Sequence, residues 1–158
     1  MGAAGAVPAA RLCGVERFFR RDGGQSVVEL ALTLPLLVFA LMGGADMARA
    51  FALQIAVENG SRAGAESYAI DSTPTNAEAQ AAAIAEINRT PTANASNSNV
   101  TVIKAQGDGV TACVSPPTVA IPCYVSVRIQ YPWSTIVAWP LVPNGGTFDR
   151  TTSVRTFY

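Results

Sequence analysis

Residues 20–45 read RRDGGQSVVELALTLPLLVFALMGGA. Two arginines come first, then Asp22 and the pair Gly23-Gly24, then one carboxylate, Glu29. The sixteen residues from Leu30 to Ala45 carry no charge, and Thr33 is their only polar side chain. As a helix rising about 1.5 Å per residue, Val27–Ala45 spans roughly 28 Å, close to the hydrocarbon thickness of a bilayer. The run predicts a transmembrane helix over 27–45. Pro35 inside it removes one helix hydrogen bond and bends the axis. Lipid tolerates this when a nearby side chain satisfies the freed carbonyl, and Thr33 is close enough to be that side chain. Residues 1–24 read as a leader with four arginines, Arg11, Arg17, Arg20 and Arg21, against Glu16 and Asp22. Basic residues near a membrane helix stay cytoplasmic, so the N-terminus is expected inside and the remainder outside.

Composition narrows the chemistry. Of 158 residues, 49% are apolar and only 14% charged, a balance that fits a chain partly in lipid. Net charge is zero, so no electrostatic footprint for nucleic acid exists. There is no histidine, which removes Ser-His-Asp and Cys-His catalysis and every His-containing metal site. Neither a cofactor nor a small-molecule substrate is expected. Three cysteines remain. If 27–45 crosses a membrane, Cys113 and Cys123 face the side opposite Cys13, where an oxidising exterior favours a Cys113–Cys123 disulfide. The alternative is two unpaired, buried thiols.

Beyond the apolar run the helix continues. Residues 46–69 contain no proline and many strong helix formers. Phe51, Ala52 and Ile55 recur at helical spacing, and Arg49, Gln54, Glu58, Arg62 and Glu66 supply a polar face with Glu58–Arg62 and Arg62–Glu66 pairs. One helix over 25–69 would be roughly 68 Å long, which suits a stalk. Ala40, Gly44, Ala48, Ala52, Ala56, Gly60 and Gly64 form an i+4 row of small side chains that would let a second helix approach closely. Such a row drifts round the helix, so only a few members face one partner.

Residues 70–99 form a linker with a short helix from Ala77 to about Asn88, capped by Asn76. Residues 100–158 read as a β-rich domain. Val100–Gln106 is a strand, Gln106–Gly109 a turn and Val110–Val114 its return. Tyr124–Tyr131 alternates, with Val125, Val127, Ile129 and Tyr131 on one face. Residues 132–147 read as an aromatic loop around Trp133 and Trp139 that covers a sheet edge, with contact to lipid or to a partner as the alternatives, and 150–158 as a closing strand. The expected fold class is α+β: a long N-terminal helix, then about four antiparallel strands packed on it.

Cutting between Gly24 and Gln25 would make Glu29 the fifth residue of a mature chain, a prepilin-type pattern. The wider run strengthens it. Val28-Glu29-Leu30-Ala31-Leu32, Leu34-Pro35-Leu36, the acid–x–x–Arg from Asp46 to Arg49, and Arg62-Ala63-Gly64-Ala65 resemble the TadE-like family of pseudopilins. Tyr131-Pro132, Pro140-Leu141-Val142 and the Thr-rich segment 147–155 are similar to the family's C-terminal part. Leu30 stands where an aromatic residue is common, and Asp46 where Glu is common. The resemblance implies a pilin-like minor component of a tight-adherence, Flp-type pilus machine in the bacterial inner membrane. Its implied partners are the membrane, a prepilin peptidase and other pilins or pseudopilins. The chain is then the peptidase's substrate, not an enzyme. Glu29 would meet the new α-amine of a neighbouring subunit; otherwise it is an interfacial carboxylate without a partner. Gly23-Gly24 suits a protease site and equally a hinge.

Three rival readings have their own marks. Arg20-Arg21 before an apolar run and Ala48-Arg49-Ala50 suggest a secretory or twin-arginine signal, against which Asp22 and Glu29 intrude. An uncleaved single-pass anchor would hold an extracytoplasmic binding module. An enzyme would need a carboxylate pair or a nucleophile–base motif, and none is seen.

Overall fold

The computed structural model describes residues 24–114, 117–140 and 143–156. The expectations for the leader up to Gly23, for Cys13 and Leu141-Val142, and for the last two residues of the closing strand fall outside them. Helix α1 is Gln25–Ile70, helix α2 is Asn76–Ile87, and a 3-10 turn at Ala95–Asn97 leads into β1, Asn99–Gln106. β2, Cys123–Ser134, and β3, Gly145–Thr156, complete an antiparallel sheet in the order β1-β2-β3. The fold is α+β: a long N-terminal apolar helix followed by a small three-stranded sheet.

The chain divides into two compact units between Leu41 and Met42, inside α1. In the first, residues 25–41 are helical, and their large side chains, from Val27 to Leu41, are all exposed. A surface so apolar is unsuited to water and suited to lipid. Thr33 does not serve the carbonyl that Pro35 frees. Its hydroxyl donates to the Glu29 carbonyl at 2.9 Å and that of Leu30 at 3.3 Å, whereas Pro35 frees the carbonyl four residues back, at Ala31.

In the second unit β2 is central. Cys123, Val125, Val127, Ile129 and Tyr131 alternate inward and are buried, as period-two patterning dictates. Val125, Val127, Ile129 and Tyr131 pack with Leu53, Val57, Ala65 and Tyr68 of α1 and with Ala79, Ala83 and Ile87 of α2. Ala79, Ala83 and Ile87 are four residues apart and make one helical face. Glycine decides how closely α2 approaches α1. A Cβ on Gly60 would lie 2.7 Å from Ile87 Cγ1, and one on Gly64 2.8 Å from the Ala79 carbonyl oxygen. Polar groups tie the layers. Ser61 Oγ lies 2.7 Å from Thr152 Oγ1, Gln80 donates to the Val100 carbonyl at 3.0 Å, and the Tyr131 hydroxyl accepts the Asn94 N–H at 3.0 Å.

Several expectations are corrected. The sheet has three strands, because Val110–Val114 does not pair as a strand. The Asp108 carboxylate takes the N–H groups of Val110 and Thr111, at 3.1 and 2.9 Å, that a neighbouring strand would have used. The turn before it forms as expected, with Gly109 N–H on the Gln106 carbonyl at 2.8 Å and Gly109 at φ +74°. The N-cap of α2 is Thr75, not Asn76: Thr75 Oγ1 accepts the Glu78 N–H at 3.2 Å while the Glu78 carboxylate takes the Thr75 N–H, a capping box. Phe51 and Ile55 are exposed, and the buried face of α1 passes instead through Leu53, Ala56, Val57, Gly60 and Ser61. Glu58–Arg62 and Arg62–Glu66 make no ion pair within 4 Å; Glu86 of α2 and Arg89, just past its C-terminus, do, at 2.9 Å. The expected 132–147 loop is shorter at both ends, since β2 runs to Ser134 and β3 starts at Gly145. Pro132 is accommodated because β1 begins only opposite Gln130, leaving β2 beyond that point without a neighbour on that side.

Candidate functional site

At the start of α1, Gly24, Gln25 and Glu29 are all exposed. The Gly24 carbonyl accepts the Val28 N–H at 3.2 Å, so Gly24 holds the first turn. Gln25 Nε2 donates to Glu29 Oε1 at 3.3 Å, which gives the carboxylate a neutral partner one turn back. Near a helix N-terminus the macrodipole also favours a negative charge.

The small-residue row divides around Ala52, which is half-buried. Ala56, Gly60 and Gly64 are buried, the two glycines beneath the chain's own α2. Ala40, Gly44 and Ala48 are exposed, and a Cβ on Gly44 would meet nothing within 4 Å. Beside them Met47, Phe51 and Ile55, spaced four apart, leave an exposed apolar stripe on α1 where neither sheet nor α2 covers it. Cys113 and Cys123 are joined as a disulfide with Cα atoms 5.7 Å apart, tying the post-turn segment to the start of β2.

The most organised polar constellation was not assembled by sequence reasoning. Asp46 is the first charge after the apolar run, and it is buried. Its carboxylate accepts the N–H of Ile136 at 2.9 Å, that of Val137 at 3.3 Å and the indole N–H of Trp139 at 3.2 Å. One turn on, Arg49 Nη1 donates to the Ser134 carbonyl at 3.1 Å. The i,i+3 spacing of acid and arginine puts both on one helix face, and together they hold the segment that joins β2 to β3. The Ile136 N–H above all, with the Trp139 and Val137 donors and the Arg49 charge, holds the Asp46 carboxyl below the usual carboxylate range against the opposing effect of burial. The segment is braced from its far end. The Asn144 side chain accepts the Trp139 N–H at 2.5 Å and donates to the Trp139 carbonyl at 3.2 Å, and the Thr135 N–H donates to the Asn144 carbonyl at 2.9 Å. Trp133 stacks on Phe148 with ring centroids 5.4 Å apart. The segment therefore connects two paired strands and docks on α1, rather than covering a sheet edge. One signal was available: an isolated Asp beside an apolar helix needs donors, and the uncharged run 133–147 offers them.

Between helix and segment lies an apolar cavity of about 210 Å³, lined by Gly43, Met47, Ala50, Trp133, Trp139 and Pro143 among others. Gly43 allows close contact, since a Cβ there would lie 3.3 Å from Trp139 Cη2.

α1 is long and apolar enough to cross a membrane. No curated protein and no solved structure matches the chain. One family model does match, that of the TadE-like protein, over residues 24–66. That span begins at the exposed Gly24, includes the apolar run, Asp46 and Arg49, and ends just past the buried Gly64. Over residues 24–66 the chain is therefore similar to the TadE-like family, in the stretch that carries most of the motifs.

Proposed function

We propose that this protein is a minor pilin-like component, a pseudopilin, of a tight-adherence, Flp-type pilus assembly machine, anchored in the inner membrane by residues 27–45. The observation that carries the reading is the TadE-like match over 24–66, lying on a helix whose large apolar side chains from Val27 to Leu41 are all exposed. A prepilin peptidase cuts between Gly24 and Gln25, leaving the N-terminal side cytoplasmic and 46–158 extracytoplasmic. Glu29, fifth in the mature chain, then accepts the α-amine of a neighbouring subunit. The protein works by helix–helix assembly and not by catalysis. Support for assembly comes from α1, where sheet and α2 cover only one face and leave Gly44, Ala48, Met47, Phe51 and Ile55 open beside the apolar run.

N-terminal sequencing of membrane-extracted protein tests this. A mature start at Gln25 is expected. A start near Phe51, with soluble protein outside the cell, would establish a signal peptide instead. An unprocessed N-terminus would leave a plain single-pass anchor. Replacing Gly24 by a bulky residue should block maturation, and undisturbed processing of that variant would refute the cut site.

A further inference from the structure

We propose that the segment following β2, Thr135–Pro140, is a membrane-seating element whose Trp139 lies in the bilayer's headgroup boundary, where the apolar run of α1 ends. The inference rests on the reading of 27–45 as membrane-embedded. Its geometric basis lies within one folded unit, because residues 43–46 and the segment both belong to 42–158. Trp139 packs against Gly43, within the last turn of the uncharged run, and its indole N–H meets Asp46, the first charge beyond that run. The ring thus has its apolar body at the level of the span's end and its polar atom toward the aqueous side. An interfacial tryptophan takes that orientation, being apolar along the ring and wet at the nitrogen.

Two further observations favour lipid as the occupant. Ile136 is 73% exposed in a run without charge, beside Asp46 and Arg49, which mark the water-facing edge. The cavity walls are nearly all apolar, and Gly43, one of its helix residues, lies in the last turn of the uncharged run of α1. Acyl and glycerol groups of the surrounding lipid fill this apolar cavity in the proposed arrangement.

The chain contains two tryptophans, Trp133 and Trp139, so Trp133→Phe makes Trp139 the sole indole reporter. The full chain carrying that substitution is reconstituted in phosphatidylcholine–phosphatidylglycerol vesicles, and membrane association is read separately by flotation. Lipids brominated near the headgroup end of the acyl chain should cause about a twofold loss of Trp139 emission, as for an interfacial indole. Lipids brominated near the chain terminus should quench less, and aqueous iodide weakly. Adding Asp46→Ala should reverse the order, with iodide stronger and lipid weaker. Protein that floats with the vesicles yet is quenched by iodide alone would overturn the inference while the anchor stands. Floating protein quenched by neither would mean that another protein surface covers the segment, which also overturns it. Failure to float would remove the anchor and the inference together.

Discussion

Asp46 and Trp139 are ninety-three residues apart in sequence, and the indole N–H of one donates to the carboxylate of the other at 3.2 Å. The same carboxylate takes two backbone N–H groups, so one side chain holds the segment between β2 and β3 on α1. Replacing Asp46 by Asn keeps the shape and removes the charge; replacing it by Ala removes the acceptor altogether. Charge-assisted hydrogen bonds are the stronger kind, so Asn should loosen the segment and Ala should release it. Limited proteolysis within 135–144 checks this. Cleavage should quicken in the order native, Asn, Ala, while protection of the sheet stays unchanged. Equal cleavage rates in all three would mean that Asn144 and Thr135 hold the segment without Asp46.

Gly64 and Gly44 belong to one sequence row but meet different surroundings. A methyl on Gly64 runs into the Ala79 carbonyl at 2.8 Å and Ala83 Cβ at 3.1 Å, and the backbone cannot rotate away. Gly64→Ala should therefore destabilise the unit by about 1–3 kcal/mol, the usual cost of overpacking. Gly44→Leu points into open space and should leave chemical unfolding of the detergent-solubilised protein unchanged. If Gly44, Ala48 and Ala40 form a packing groove, that substitution should weaken co-purification with partner pilins. Unchanged co-purification would limit the row to internal packing.

These two glycines also mark how far sequence alone could reach. The helix 25–69, its run long and apolar enough to cross a membrane, and the alternation of β2 were legible, because hydrophobic period is a local property. Which face of α1 is buried was not. Phe51 and Ile55 are the bulkier side chains, yet Ala56, Gly60 and Gly64 are covered, because the proximity of α2 rewards small residues over large ones. The missing fourth strand has a similar origin: Asp108, a side chain, outcompetes a backbone partner for the N–H groups of 110 and 111. The Asp46 clamp needed contacts across some ninety residues, which no local pattern contains. The acid–x–x–Arg motif was visible in the sequence; its partners were not.

On the outer face of the sheet Arg128 grips the Asp149 carboxylate through two nitrogens, and Gln130 donates to it at 3.1 Å. Arg128 first and then Gln130 lower the Asp149 pKa to about 2 from the ordinary 3.8. A depressed carboxylate pKa contributes stability that is complete above the unfolded value and is lost as pH falls through the folded one. The pair's contribution should therefore be constant above about pH 4 and fade between about pH 4 and 2. Acid unfolding of Asp149→Asn, followed by circular dichroism, should lack this part of the pH dependence. An identical acid limb in native and variant would show that the pair contributes nothing net, as exposed ion pairs often do.

The Cys113–Cys123 bridge closes a loop with a sequence separation of 10. In the chain-entropy account a closure that short stabilises by about 2–3 kcal/mol, mainly by restricting the unfolded chain. Cys123 is buried at the first position of β2, opposite Thr156 of β3, whereas Cys113 lies outside any strand. The two substitutions should therefore differ. Cys113→Ser frees the post-turn segment but leaves the sheet's inner face intact, so its loss should match that of reducing the native protein. Cys123→Ser adds a hydroxyl where the thiol was wholly buried, and should cost more than reduction does. Urea unfolding of native protein with and without reductant, set beside both variants, separates the two contributions. Equal losses for the two serines would mean that the bridge, and not the packing of Cys123, accounts for the whole effect.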